Sequence, residues 1–177
     1  DNIAIGYNAM NGTGSTAASE KNIAIGNYTM NGNQNDSDNN IAIGHQALNG
    51  ITTGDNNIAI GSLAGLAADD VSNTVLIGYA AGDDINHADA NGTVAVGYAS
   101  LSVLTQGQYN TAVGFETLDN MITGDKNTAI GYQALHTANG AESKNTAVGY
   151  QALTAVDTDD DNHNTAVGHT AGAAITS

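Results

Sequence analysis

Along this chain, apolar positions come in short alternating bursts, each followed by a longer polar stretch. The bursts read Asn-Ile-Ala-Ile-Gly or Asn-Thr-Ala-Val-Gly, and they end on Gly6, Gly26, Gly44, Gly61, Gly78, Gly97, Gly114, Gly131, Gly149 and Gly168. Alternation with period two over a few residues predicts one short β-strand per burst. Successive glycines lie 17 to 20 residues apart, and a fixed period of that size predicts coils that stack on one another. Aligned on the glycine, the preceding residue is always Ile or Val, and the residue before that is alanine except for Leu76. The third residue back is Ile or Val in the first six coils, then Thr111, Thr128, Thr146 and Thr165. The residue after the glycine is mostly aromatic or His. Side chains alternate across a strand, so the Ile/Thr, Ile/Val and aromatic columns share one face and the Ala and Gly columns share the other.

From this pattern the Ile/Val ladder is expected to face inward. The small-residue face is then expected to meet another layer or another chain, with Ala112, Ala129, Ala147, Ala166, Gly114, Gly131 and Gly149 as candidates for a subunit contact. A second short strand is expected after the glycine, as in Tyr132-Gln133-Ala134-Leu135, and then a loop of Gly, Asn, Asp, Ser and Thr, residues that turns select. The fold class expected is therefore all-β, a parallel β-solenoid of about ten coils, with residues 1–177 forming a single repeat domain. The asparagines that open the bursts (Asn2, Asn22, Asn40, Asn57, Asn110, Asn127, Asn145 and Asn164) are expected to form a turn-stabilising ladder, because Asn bonds neighbouring backbone and stacks well.

Composition narrows the function classes. Eighteen acids against three lysines give a net charge of −15, which argues against nucleic acid and against docking on anionic lipid. There is no cysteine and hence no disulfide framework, and no apolar run of membrane-spanning length. The chain opens on a repeat without an initiating Met and closes inside one, so a fragment of a longer fibre protein is expected.

Strings such as Asn127-Thr128-Ala129-Ile130-Gly131-Tyr132-Gln133-Ala134-Leu135 and Asn145-Thr146-Ala147-Val148-Gly149-Tyr150-Gln151-Ala152-Leu153 resemble the YadA-like head repeats of trimeric autotransporter adhesins. They are closer still to related repeats of bacteriophage tail fibres and large bacterial surface proteins. The resemblance spans essentially the whole chain, although the signature is diluted at Asn73–Gly82 and Gly92–Leu101. It implies a left-handed β-roll per chain, three chains about a fibre axis, and an extracellular setting on a cell surface or virion.

Candidate chemistry is sparse. Acids cluster at Asp36 and Asp38, at Asp69 and Asp70, at Asp83, Asp84 and Asp89, and at Asp157, Asp159, Asp160 and Asp161. Calcium takes several oxygen ligands, so the last group is the candidate calcium site, against the plainer reading of a solvated acidic face. His45 and His169 fall in the aromatic column, where ring stacking accounts for them. Hexapeptide acyltransferases share the 18-residue average but need an aliphatic-Gly hexad three times per coil, and here it occurs once. No enzyme is expected. The function expected is a structural or adhesive rod segment, about 45–50 Å long at the strand spacing of a sheet, with itself as partner in a trimer or end-to-end filament. A carbohydrate- or surface-binding module using the acidic loops is the alternative, with host glycan as the partner. An ice-binding Thr array is a lesser one.

Overall fold

The computed structural model describes residues 1–12, 18–138, 142–157 and 163–176. Each apolar burst forms one three-residue strand: β1 (Ile3–Ile5), β2 (Ile23–Ile25), β3 (Ile41–Ile43), β4 (Ile58–Ile60), β5 (Val75–Ile77), β6 (Val94–Val96), β7 (Thr111–Val113), β8 (Thr128–Ile130), β9 (Thr146–Val148) and β11 (Thr165–Val167). These ten strands pair in parallel in chain order to make one sheet. The register is strict, with Ala on Ala and glycine-flanking Ile or Val on its equivalent, as in Ala112 opposite Ala129 and Val113 opposite Ile130. A second, two-strand parallel sheet joins β10 (Ala155–Asp157) to β12 (Ala174–Thr176) near the C-terminus. One short 3-10 turn, Ala88–Ala90, interrupts the pattern. The molecule is an all-β parallel solenoid.

The two faces of the sheet are reversed from expectation. Ala24, Ala42, Ala59, Ala95, Ala112, Ala129 and Ala147 are fully buried, whereas Ile43, Ile60, Ile77 and Ile130 stand outward and exposed. The reason is the narrowness of the coil. Its opposite wall already sends a large side chain into the centre, from Met30, Leu48, Leu101, Leu118, Leu135 and Leu153, and these form one continuous apolar cluster with the alanines. A close-packed interior leaves only methyl-sized room on the strand side. Ala112, Ala129, Ala147 and Ala166 are therefore taken up by packing within their own chain.

The glycines belong to the same internal stacking. Gly114 has φ +142°, and a Cβ added there would lie 2.7 Å from the carbonyl carbon of Gly131 in the next coil. Gly131 and Gly149 repeat that geometry against Gly149 and Gly168. Both the left-handed backbone and the close approach require glycine.

Beyond the glycine the expected second strand is absent, and a turn takes its place. Gln133 and Leu135 have φ of 51° and 52°, and most coils repeat two such left-handed residues. The conformation is disfavoured for ordinary side chains, but it turns successive N–H groups in opposite directions. Gln133 N–H donates back to the Phe115 carbonyl at 2.9 Å, and Leu135 N–H donates forward to the Ala152 carbonyl at 3.0 Å. Hydrogen bonding between coils thus continues without strand dihedrals.

Candidate functional site

The asparagine column lies at the corner before each strand. Asn22, Asn40, Asn57, Asn110, Asn127 and Asn145 are buried. Each side-chain oxygen accepts from the backbone N–H that opens the following coil: Asn22 to Asn2 at 2.9 Å, Asn40 to Asn22 at 2.8 Å, Asn145 to Asn127 at 2.9 Å and Asn164 to Asn145 at 2.9 Å. The side-chain NH2 groups of Asn22, Asn40, Asn57, Asn110 and Asn127 donate to carbonyls of the neighbouring coil's loop, as Asn40 does to Gly54 and Asn127 does to Glu142, whereas Asn145 Nδ2 is buried without such a bond. The contacts are chiefly side chain to backbone, which disposes of buried donors and acceptors that would otherwise be costly. This column is structural.

The outward face of the ten-strand sheet is an exposed apolar surface. It carries two parallel columns, Ile3 to Thr165 and Ile5 to Val167, bordered by the aromatic column. Tyr79, Tyr98, Phe115, Tyr132, Tyr150 and His169 stack face to face, with centroids 4.9–5.4 Å apart and planes within 12° of one another. The order breaks towards the N-terminus, where Asn27 and Ser62 occupy the column. There Tyr7 and Tyr28 meet edge to face at 80°, as do Tyr28 and His45 at 84°. Because each stacked ring covers its neighbour's face, only edges and hydroxyls point outward.

Four of the loop acids serve the stacking. Asp38 accepts from Glu20 N–H at 2.6 Å and Asp55 from Asp38 N–H at 2.7 Å, while Asp125 accepts from Gln108 N–H at 2.7 Å. Asp69 bonds the Thr52 hydroxyl of the preceding coil. Of the candidate calcium ligands, Asp157 ends strand β10, and Asp159, Asp160 and Asp161 lie outside the described residues.

One polar cluster escaped the sequence reading. Glu116, Asp119 and His136 bring a carboxylate oxygen each and an imidazole nitrogen within 4.8 Å of one another. The signal was present but two-dimensional: 17 residues separate Asp119 from His136, one coil, so the two positions stack. No protein-family model, curated protein or solved structure matches this chain. Among the described residues no helix is long and apolar enough to cross a membrane.

Proposed function

We propose that this chain is a structural and adhesive rod segment of an extracellular fibre, and that three copies associate through their outward Ile/Val/Thr faces. The observation that carries the reading is the exposure of that face. Ile43, Ile60, Ile77 and Ile130 are each 36–40% exposed although their columns run the length of a ten-strand sheet. Nine steps at about 4.8 Å and a width of about 10 Å give an apolar strip on the order of 400 Å² before the aromatic ridge is added. A strip of that size matches the largest apolar patch of a typical monomer, about 300–600 Å², which is often a functional contact surface. The resemblance to trimeric adhesin and tail-fibre repeats points the same way, with the contact moved from the Ala/Gly columns to the Ile/Val columns. The net charge of −15 suits a particle kept soluble by its loops.

Solution mass by light scattering tests this directly. The parent chain is expected to have the mass of three copies, and the pair Ile60→Asp and Ile130→Asp to have that of one, with unchanged β-type circular dichroism. A monomeric parent chain overturns the association.

A second reading is favoured by one observation. Thr111, Thr128, Thr146 and Thr165 lie in register on the outward side of the parallel sheet, where a regular array of methyls and hydroxyls can engage an ice lattice. The two readings compete for one surface. Thermal hysteresis in a monomeric parent chain would establish the second and exclude the first.

A further inference from the structure

We propose that Glu116, Asp119 and His136 form a binding site for a first-row divalent metal ion of the zinc class, which staples two successive coils. Glu116 and Asp119 sit three residues apart on the turn after strand β7, and His136 occupies the position equivalent to Asp119 one coil later. The register is held by the Leu118 N–H bond to the Ala134 carbonyl at 3.1 Å. All three side chains are half-buried at one edge of the solenoid. Among the described residues no other group of three such side chains comes as close. In the neighbouring coils the stacked positions hold Ala99 and Ser102, or Gln151 and Thr154, so the site is confined to one level of the rod.

The donor set selects the ion. Calcium takes six to eight oxygens, whereas an imidazole with two carboxylates suits zinc and its neighbours. Tetrahedral zinc with bonds of about 2.0–2.1 Å places its donors roughly 3.3 Å apart. The present atoms lie within 4.8 Å of one another, so rotamer changes of the Glu116 side chain bring the third donor in. His136 Nδ1 is shut off from water and faces the Asp119 carboxylate in a close contact. Supporting contacts are already in place: Gln133 donates to Glu116 Oε2 at 2.8 Å, and Asn120 donates to Asp119 Oδ1 at 3.2 Å and to the His136 carbonyl at 2.8 Å. Bonds of this kind orient metal ligands. A divalent ion would exactly balance two carboxylates and a neutral imidazole, which water does poorly at a half-buried site.

The test uses zinc alone, titrated into the full 177-residue chain in competition with a chromophoric chelator, with imidazole resonances followed by NMR. One zinc per chain is expected, with a shift of the His136 ring. Asp119→Asn, Glu116→Gln and His136→Asn are each expected to weaken binding at least about tenfold. His163→Asn, in a different coil, should leave it unchanged. Melting curves without zinc show which variants fold, and Glu116→Gln keeps the test informative if a substitution at the tighter pair does not. Zinc affinity unaffected by Glu116→Gln, no binding, or shifts confined to other histidines would overturn the proposal.

Discussion

The coil that carries Ala129 and the coil that carries Leu76 solve the same packing problem in opposite ways. In the first, alanine stands on the strand and the opposite wall supplies Leu118 and Leu135, all fully buried. In the second, leucine stands on the strand and the opposite wall supplies Gly65 and Gly82. A Cβ added at Gly65 would lie 2.8 Å from Leu76 Cδ1, and one at Gly82 would lie 2.7 Å from Leu76 Cδ2. The large side chain has changed walls, and Leu76 fills the space beside both glycines. The departure extends along the same coils. The asparagine ladder passes through Thr74 and Thr93, where the Thr74 hydroxyl and N–H both bond Asn57 Oδ1, at 2.7 and 3.0 Å. The Ala88–Ala90 turn follows, with Asn91 Oδ1 accepting from Ser72 N–H at 2.6 Å. What looks like a diluted repeat is a compensated one.

The sharpest way to break the comparison is to remove one half of the exchange. Leu76→Ala leaves a cavity bounded by two glycines and is expected to cost about 3 kcal/mol, read as a lowered unfolding midpoint. Adding Gly82→Leu to that variant should recover part of the loss, although the left-handed backbone at Gly82 (φ +60°) limits it. Gly82→Leu alone should destabilise. If the double variant is no more stable than Leu76→Ala, the two walls are not exchanging volume. The converse change, Ala129→Leu between Leu118 and Leu135, overpacks the core at an expected cost of about 2 kcal/mol.

Asn127→Ala tests the ladder where it is intact. It leaves the Asn145 N–H and the Glu142 carbonyl without their partners, with an expected loss of about 2 kcal/mol. Thr74→Val, where the ladder is already altered, removes one hydroxyl bond and should cost less. Equal losses would mean that the column is not acting through its amides. The smallest effect concerns Asp83, beside Gly82. Its carboxyl is raised above the usual range by burial and then by the charge of Asp84, and its Oδ1 is buried without a partner. A carboxyl raised on folding costs stability once pH exceeds its unfolded value, so Asp83→Asn should raise the melting temperature slightly at neutral pH. Below about pH 4, where both states are protonated, the gain should vanish. A gain that persists there would assign it to hydrogen bonding instead.

Some of this was legible in the residues. Ten Ile- or Val-Gly steps at a near-constant interval impose ten stacked strands, because each coil can satisfy its backbone only on the next. The asparagine column was visible for the same reason: an amide at a recurring corner has the neighbouring backbone as its nearest partner. The second strand was misread. Tyr132-Gln133-Ala134-Leu135 contains no Gly or Pro to break a strand, and nothing in its side chains reveals two left-handed residues. The Glu116, Asp119 and His136 cluster needed the coil register before residues of different repeats could be placed side by side.

Which side of the sheet faces in was decided by tertiary structure alone. A period of two assigns residues to common faces but carries no sign, and hydrophobicity alone pointed the Ile and Val columns towards the core. The narrow cross-section chose otherwise, since in seven of the ten coils the opposite wall supplies a leucine or methionine and leaves the strand room for a methyl. The sequence by itself determined the ten stacked strands and their corner asparagines, consequences of local spacing. The outward apolar face, the exchange of Leu76 with Gly65 and Gly82, and the meeting of ligands from adjacent coils depend on distances across the coil or between coils, which only the folded chain defines.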